Sequence, residues 1–198
     1  MKVTDIKQQV KRQARYSIFV DNKYSFSLSE SELMSSGIKI GKEYSKEDFD
    51  KLKQTAVLDK AYMRVLDLLA RRARSEWEIR DYLKHKDYDN SAIDQIINKL
   101  TEKGYIDDQK FARAWVDNRR LLKSVSKRKL WTELKQKHVA DDIIKIVLED
   151  DATDERQVIR DLVVKKRHQT RYQDDTKLMQ YLSRQGFKYD DIKVALSE

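Results

Sequence analysis

Apolar residues along this chain follow two rhythms, and the change from one to the other falls near residue 56. Before it, Tyr24, Phe26 and Leu28 alternate with polar residues, and Arg15–Val20 is rich in β-branched and aromatic side chains. A period of two puts alternate side chains on opposite faces of a strand. Asp21-Asn22 lies between the two runs, and both residue types tolerate the positive φ of a tight turn. A hairpin is therefore predicted over residues 15–28, with Lys2–Val10 as a candidate third strand. Ser29-Glu30-Ser31-Glu32 has capping-box spacing and predicts a short helix that Gly37 ends. Ser45-Lys46-Glu47-Asp48 marks a further helix start.

Beyond residue 56 the apolar positions recur at helical spacing, and the pattern itself repeats. Ile79, Tyr82 and Leu83 share one helix face at i, i+3 and i+4. Leu130 and Leu134, then Leu178, Tyr181 and Leu182, return to it at intervals of 48–51 residues. A second helix follows each time, carrying Ile93, Ile96, Ile97 and Leu100, then Ile143, Ile146 and Val147, then Ile192, Ala195 and Leu196. A helix also precedes each pair, striped by Tyr62, Val65, Leu66 and Leu69, by Phe111, Trp115 and Leu122, and by Val158, Ile159, Leu162 and Val163. Helices of ten to fourteen residues are marginal alone and need mutual packing. The expected fold is mainly α: three tandem three-helix, helix-turn-helix-like repeats in an elongated array, preceded by a small β-hairpin or three-strand region. The expected boundaries are 1–56 for the N-terminal region, then 57–106, 107–150 and 151–198 for the repeats.

Composition supports helices over a sandwich or barrel, since the 198 residues include no proline and four glycines. Cysteine is absent, which excludes disulfides, thiolate metal sites and thiol nucleophiles. No run approaches a membrane span, and the N-terminus lacks the apolar core of a signal peptide, so a cytoplasmic protein is expected. The three histidines, His85, His138 and His168, are far apart, and no HExxH, GxSxG or phosphate-cradling glycine pattern occurs. Asp107-Asp108, Asp141-Asp142 and Asp190-Asp191 each fall where a helix begins, where carboxylates cap free N–H groups. No catalytic residue, metal or cofactor is expected.

Charge carries more information. The formal net charge is +8, and residues 109–150 hold 11 basic against 6 acidic side chains. Basic clusters stand after the first helix of each repeat: Arg71, Arg72 and Arg74; Arg119, Arg120 and Lys123, with Lys127, Arg128 and Lys129 just beyond; and Lys165, Lys166, Arg167 and Arg171. One or two cations at a helix C-terminus complement its dipole. Three or more at the same place in every repeat suit a periodic anion such as a nucleic-acid backbone. Trp115 falls on an apolar stripe and is expected in the core, whereas Trp77 and Trp131 lie off the main stripes.

The segment Leu100 to Arg120, with Gly104-Tyr105-Ile106-Asp107-Asp108 followed by Phe111-Ala112 and Trp115, resembles the hallmark of the RecX family, regulators of the RecA recombinase. Gly104 suits a left-handed helix end, Asp107 a cap, and Ile106 with Phe111 a hydrophobic staple. Ser75-Glu76-Trp77-Glu78-Ile79 is similar to the family's first-repeat motif, with Ser75 and Glu78 at capping-box spacing. Tyr181-Leu182 through Gly186-Phe187 to Ala195-Leu196 resembles its third-repeat ending. The resemblance covers roughly residues 57–198. Two positions depart from it: Ser124-Val125-Ser126 stands where relatives often carry glycine, and His138 replaces a common glycine. Longer relatives continue into further helices, so a truncated chain is one expectation.

The resemblance implies a non-enzymatic protein that binds RecA and its filament on single-stranded DNA. It implies inhibition of filament growth, ATP hydrolysis, strand exchange and co-protease activity, in the context of recombination and the SOS response. The expected partners are RecA and, weakly and salt-dependently, single-stranded DNA, with the chain a monomer and no membrane partner. Two alternatives stay open: a helix-turn-helix DNA-binding protein and a helical-repeat protein–protein scaffold.

Overall fold

A computed structural model describes residues 1–197; Glu198, the last residue of the expected third repeat, lies outside the described residues. The chain divides into two compact units, residues 1–73 with 79–105, and residues 74–78 with 106 to the end.

The first unit opens with an antiparallel sheet of order β1-β2-β3, formed by Val3–Gln8, Arg15–Val20 and Lys23–Ser29. Asp21 and Asn22 both take positive φ, 48° and 63°, the geometry a two-residue hairpin of native twist requires. Alternation sends Ile18, Phe26 and Leu28 to one face, where they bury with Val3, Val20, Ile38, Phe49 and Ala56. Helix α1, Glu30–Ser36, starts as its sequence indicates: the Ser29 hydroxyl accepts from the Glu32 N–H at 3.3 Å, and Gly37 closes it at φ 62°.

Helix α2, Lys46–Leu69, is capped by Ser45, whose hydroxyl accepts from the Asp48 N–H. It runs unbroken through residues 56 and 57, because no glycine or proline lies between Ser45 and Ala70 to stop it. Val65 is fully buried on the expected stripe and Ala61 beside it, while Tyr62, Leu66 and Leu69 are half-buried. An ion pair joins α2 to the sheet inside this unit. Arg15 Nη1 lies 3.1 Å from Asp59 Oδ2, and both side chains are buried. The Ser29 N–H and hydroxyl donate to the same carboxylate at 2.8 and 2.5 Å, and Arg15 Nη2 donates to the Ser27 carbonyl at 2.9 Å. A buried pair is tolerated when its remaining hydrogen-bonding positions are filled in this way.

Helices α3, Glu76–Lys84, and α4, Asn90–Glu102, carry the expected faces, with Ile79, Leu83, Ile93, Ile96, Ile97 and Leu100 all buried. Helix α4 ends as Gly104 indicates. At φ 71° it lets the Tyr105 N–H donate to the Leu100 carbonyl at 2.9 Å.

The second unit holds α5, Asp108–Leu122; α6, Lys127–Gln136; α7, Asp141–Asp150; α8, Glu155–Arg167; α9, Asp175–Arg184; and α10, Tyr189–Ser197. One core gathers Phe111, Ala112, Val116, Leu130, Leu134, Ile144, Val147 and Leu148. Another gathers Ile159, Leu162, Leu178, Leu182, Phe187, Ile192 and Ala195.

Two expected stripes are corrected. Helix α7 buries Ile144, Val147 and Leu148 and exposes Ile146, because the run Ile143 to Leu148 is apolar at all but one position and its periodicity leaves the phase open. Helix α5 buries Ala112 and Val116 and leaves Leu122 in solvent, at the residue where the helix ends.

The same joint between helices occurs twice in the second unit. The Ser75 hydroxyl accepts from the Glu78 N–H and donates to the Lys137 carbonyl at 2.8 Å, at the turn that ends α6. The Ser126 hydroxyl likewise caps α6, and the Ser126 N–H donates to the Gln185 carbonyl at 3.1 Å, at the turn that ends α9. The residue after each carbonyl is left-handed: His138 at φ 54° and Gly186 at φ 90°. His138 stands in place of glycine with its ring stacked on Trp77, centroids 3.9 Å apart. Gly186 has no such room, since a Cβ there would lie 2.4 Å from Ser126 Oγ.

Candidate anion-binding surface

Cations at the ends of α2, α5 and α8 fall into two groups, those bound into ion pairs within their own unit and the rest. Arg119 and Arg120 belong to the first. In the last turn of α5, Arg119 Nε donates to Glu133 Oε2 at 2.7 Å, and its guanidinium lies 4.8 Å from the centre of the Trp115 ring. Trp115 donates to the same carboxylate oxygen at 2.9 Å and packs against the core, where its stripe position predicts it.

Arg120 sits deeper. Its Nε and Nη2 donate to Asp151 Oδ2 at 3.0 and 2.5 Å, and Nη1 donates to the Val125 carbonyl. The two side chains are only 14% and 7% exposed. Burial works to raise the Asp151 carboxyl, but the Thr153 hydroxyl and the Arg120 guanidinium outweigh it, and its pKa falls below the ordinary value. Lys127 joins the same knot through its ammonium, 2.5 Å from the Asp151 carbonyl, while its backbone N–H donates to Glu155. Arg167 donates to the Gln173 carbonyl at 2.8 Å and pairs with Asp175. These side chains tie helices together.

The first acidic pair, Asp107-Asp108, also acts within the fold. Asp107 caps α5, accepting from the Lys110 N–H at 2.9 Å, and that hydrogen bond lowers its pKa. Asp108 reaches the start of α3 and accepts from the Glu76 N–H at 2.8 Å. Burial pushes its carboxyl up, with the negative charges of Glu76 and Asp107 adding to the effect.

The remaining cations are exposed or half-buried. Arg71 and Arg72 are exposed in the turn after α2, where Arg72 donates to the Ala73 carbonyl at 2.9 Å, and Arg74 is half-buried. Arg128 is exposed and Lys129 half-buried on α6. Arg171 lies over the Tyr172 ring at 5.7 Å. Lys123, Lys165 and Lys166 converge on one open groove of about 400 Å³, between the end of α5 and the faces of α8 and α9. Lys166 lies 4.7 Å over Tyr181 and 5.3 Å over Tyr172, and burial, with Tyr172 nearby, raises the Tyr181 hydroxyl. The Lys123 and Lys165 side chains make no hydrogen bond or ion pair among the described residues, and no acidic side chain lines the groove.

The thirteen cations of the sequence pattern thus do different things, and three from two repeats meet. Sequence reading missed Leu121 and Leu122, which lie beside Lys123 at the groove with exposures of 82% and 74%. Their signal was available in outline: Leu121 lies off every apolar stripe of α5. It was obscured because Leu122 continues the spacing of Phe111 and Trp115.

Comparison with known proteins agrees along the chain. Residues 1–45 match the domain family described as the regulatory protein RecX N-terminal domain, 61–100 the RecX first three-helix domain, and 107–148 its second three-helix domain. The regulatory protein RecX of Bacillus velezensis is 31% identical over 99% of this chain and 76% of its own length. That of Listeria innocua is 35% identical over 78% of this chain, an alignment spanning 57% of the relative. Several relatives are thus matched over little more than half their length. A crystal structure of a regulatory protein RecX superposes with a TM-score of 0.75 at 26% identity, covering 100% of this chain and 99% of that one. RecX from Lactobacillus salivarius gives 0.61 at 25% identity, over 71% of this chain and 94% of that one. Among the described residues no helix is long and apolar enough to cross a membrane.

Proposed function

The chain belongs to the RecX family, and from that premise we propose that it binds RecA and RecA filaments on single-stranded DNA and inhibits their growth. Less filament means less ATP hydrolysis, strand exchange and co-protease activity. The protein acts by binding, as a monomer in the cytoplasm, without a catalytic residue or cofactor of its own.

The observation that carries this reading is the meeting of Lys123, Lys165 and Lys166 around a groove without a carboxylate. Elsewhere in the same unit cations are neutralised in place, as Arg120 is by Asp151. An unneutralised cluster in a low-lying groove attracts an anionic partner and speeds its approach. Arg71, Arg128, Lys129 and Arg171 extend the same charge over the surfaces of their units. With about three phosphates contacted by these outlying cations, single-stranded DNA affinity falls with salt at a logarithmic slope of about −2. DNA contact of that size is weak, so the protein of the filament supplies the main attachment.

The test is single-stranded-DNA-dependent ATP hydrolysis by RecA of the same organism, with this protein titrated far below the RecA concentration. Loss of hydrolysis at strongly sub-stoichiometric ratios supports action on filament growth. Unchanged hydrolysis at equimolar protein and low salt refutes it. Sequence-specific binding to duplex DNA in the same preparation would move the function to a transcription factor.

A further inference from the structure

Two adjacent leucines at the mouth of a lysine groove call for an occupant that is both anionic and apolar. We propose that the groove between α5, α8 and α9 is a docking site for an acidic peptide segment of the partner protein, anchored by an aliphatic side chain. The proposal rests on the reading that this chain acts on a protein filament and names the chemistry of one contact.

Charge sets the sign of the ligand. Lys123, Lys165 and Lys166 stand at the groove, no carboxylate opposes them, and two of the three have no internal partner among the described residues. The leucines set its class. Leu121 and Leu122 are 82% and 74% exposed, and Leu162 beside them is buried and forms an apolar floor. A lone exposed leucine needs no explanation, but a contiguous pair continuous with an apolar floor is what protein interfaces cover.

A nucleic-acid strand is a poor match to this lining. Sites for single strands stack bases on aromatic faces. Here the one aromatic side chain, Tyr181, is half-buried, and Lys166 already lies over its ring. A peptide uses every part of the site: carboxylates meet the lysines, an aliphatic side chain covers Leu121 and Leu122, and its main chain hydrogen-bonds with Ser124 and Gln185, which complete the lining. A cavity of this size accepts a few residues, in keeping with recognition of a short linear segment.

The test pans a display library of random dodecapeptides against the full chain, at about 150 mM salt to suppress long-range attraction. Two variants are panned in parallel, Leu121→Ser with Leu122→Ser, and Lys123→Glu with Lys165→Glu. All four positions are exposed, so the folded units persist, as far-ultraviolet circular dichroism verifies. The expected result is enrichment of acidic sequences with a leucine, isoleucine or phenylalanine. The enriched peptide, made with a fluorescent label, should bind the wild-type chain, lose roughly tenfold or more of its affinity in each variant, and resist displacement by oligothymidylate.

No acidic enrichment overturns the proposal. So does an enriched peptide that oligothymidylate displaces and the leucine variant binds unchanged, which would make the groove a nucleic-acid site. If RecA hydrolysis is inhibited while no acidic peptide is enriched, the groove assignment fails alone. If peptide binds while hydrolysis is untouched, the regulator reading fails and the groove stands.

Discussion

Replacing Arg120 with alanine should damage the fold of the second unit far more than its charge pattern suggests. The substitution removes the guanidinium from Asp151, whose side chain is 7% exposed, and opens the bond to the Val125 carbonyl. Breaking a buried pair from one side costs about 3–5 kcal/mol, because the remaining charge stays buried. Asp151 keeps two hydrogen bonds from Thr153, so the low end, about 3 kcal/mol, is expected. For a unit of about a hundred residues this lowers the melting temperature by roughly 12–24 °C.

Urea unfolding followed by tryptophan fluorescence measures the loss, since Trp115 and Trp131 pack against the core of this unit. Acid supplies a second signature. The Asp151 pKa is lower folded than unfolded, so its stabilisation is present above the ordinary value of 3.8 and is lost as pH falls through the folded value. The deficit of the variant should therefore be largest near neutral pH and shrink in acid. Lys165→Ala, at an exposed site, should stay within about 0.5 kcal/mol of wild type. An Arg120 variant equally close to wild type would refute the structural assignment and return Arg120 to the binding surface.

Two further changes probe how the helices are joined. Gly186→Ala forces a Cβ to within 2.4 Å of Ser126 Oγ at a φ of 90°, and should cost about 2–4 kcal/mol by urea unfolding; a loss below about 0.5 kcal/mol would contradict the joint. Asp108→Asn keeps an acceptor for the Glu76 N–H and removes a charge whose pKa is raised on folding. Such a carboxyl costs stability above its folded pKa and nothing below its unfolded value near 3.8, so the variant should match wild type in acid and gain on it as pH rises. A variant that loses ground as pH rises would show that the charge helps the fold.

Much of the architecture was legible because single residues with one physical role marked it. Ser29, Ser45, Ser75 and Asp107 each have a side-chain oxygen that accepts a first-turn N–H. Gly37 and Gly104 end helices at positive φ. Faces were legible where polar residues interrupt the apolar ones, as in α4, and illegible in α7, where apolar residues fill nearly every position.

The candidate surface was harder to read for a different reason. Sequence places Arg119, Arg120 and Lys127 beside one another but is silent on Glu133, Asp151 and Glu155, which meet them from elsewhere in the unit. Whether a cation is available depends on a carboxylate up to 31 residues away. The convergence of Lys123 with Lys165 and Lys166 spans two repeats and has no local signal.

Filament extension on labelled single-stranded DNA, followed in real time by fluorescence anisotropy, reads the proposed action of this chain on a growing RecA filament. With this protein added far below the RecA concentration, extension should stall or reverse, and the effect should weaken with Lys123→Glu and Lys165→Glu. Extension at an unchanged rate with equimolar protein would rule out action on the filament.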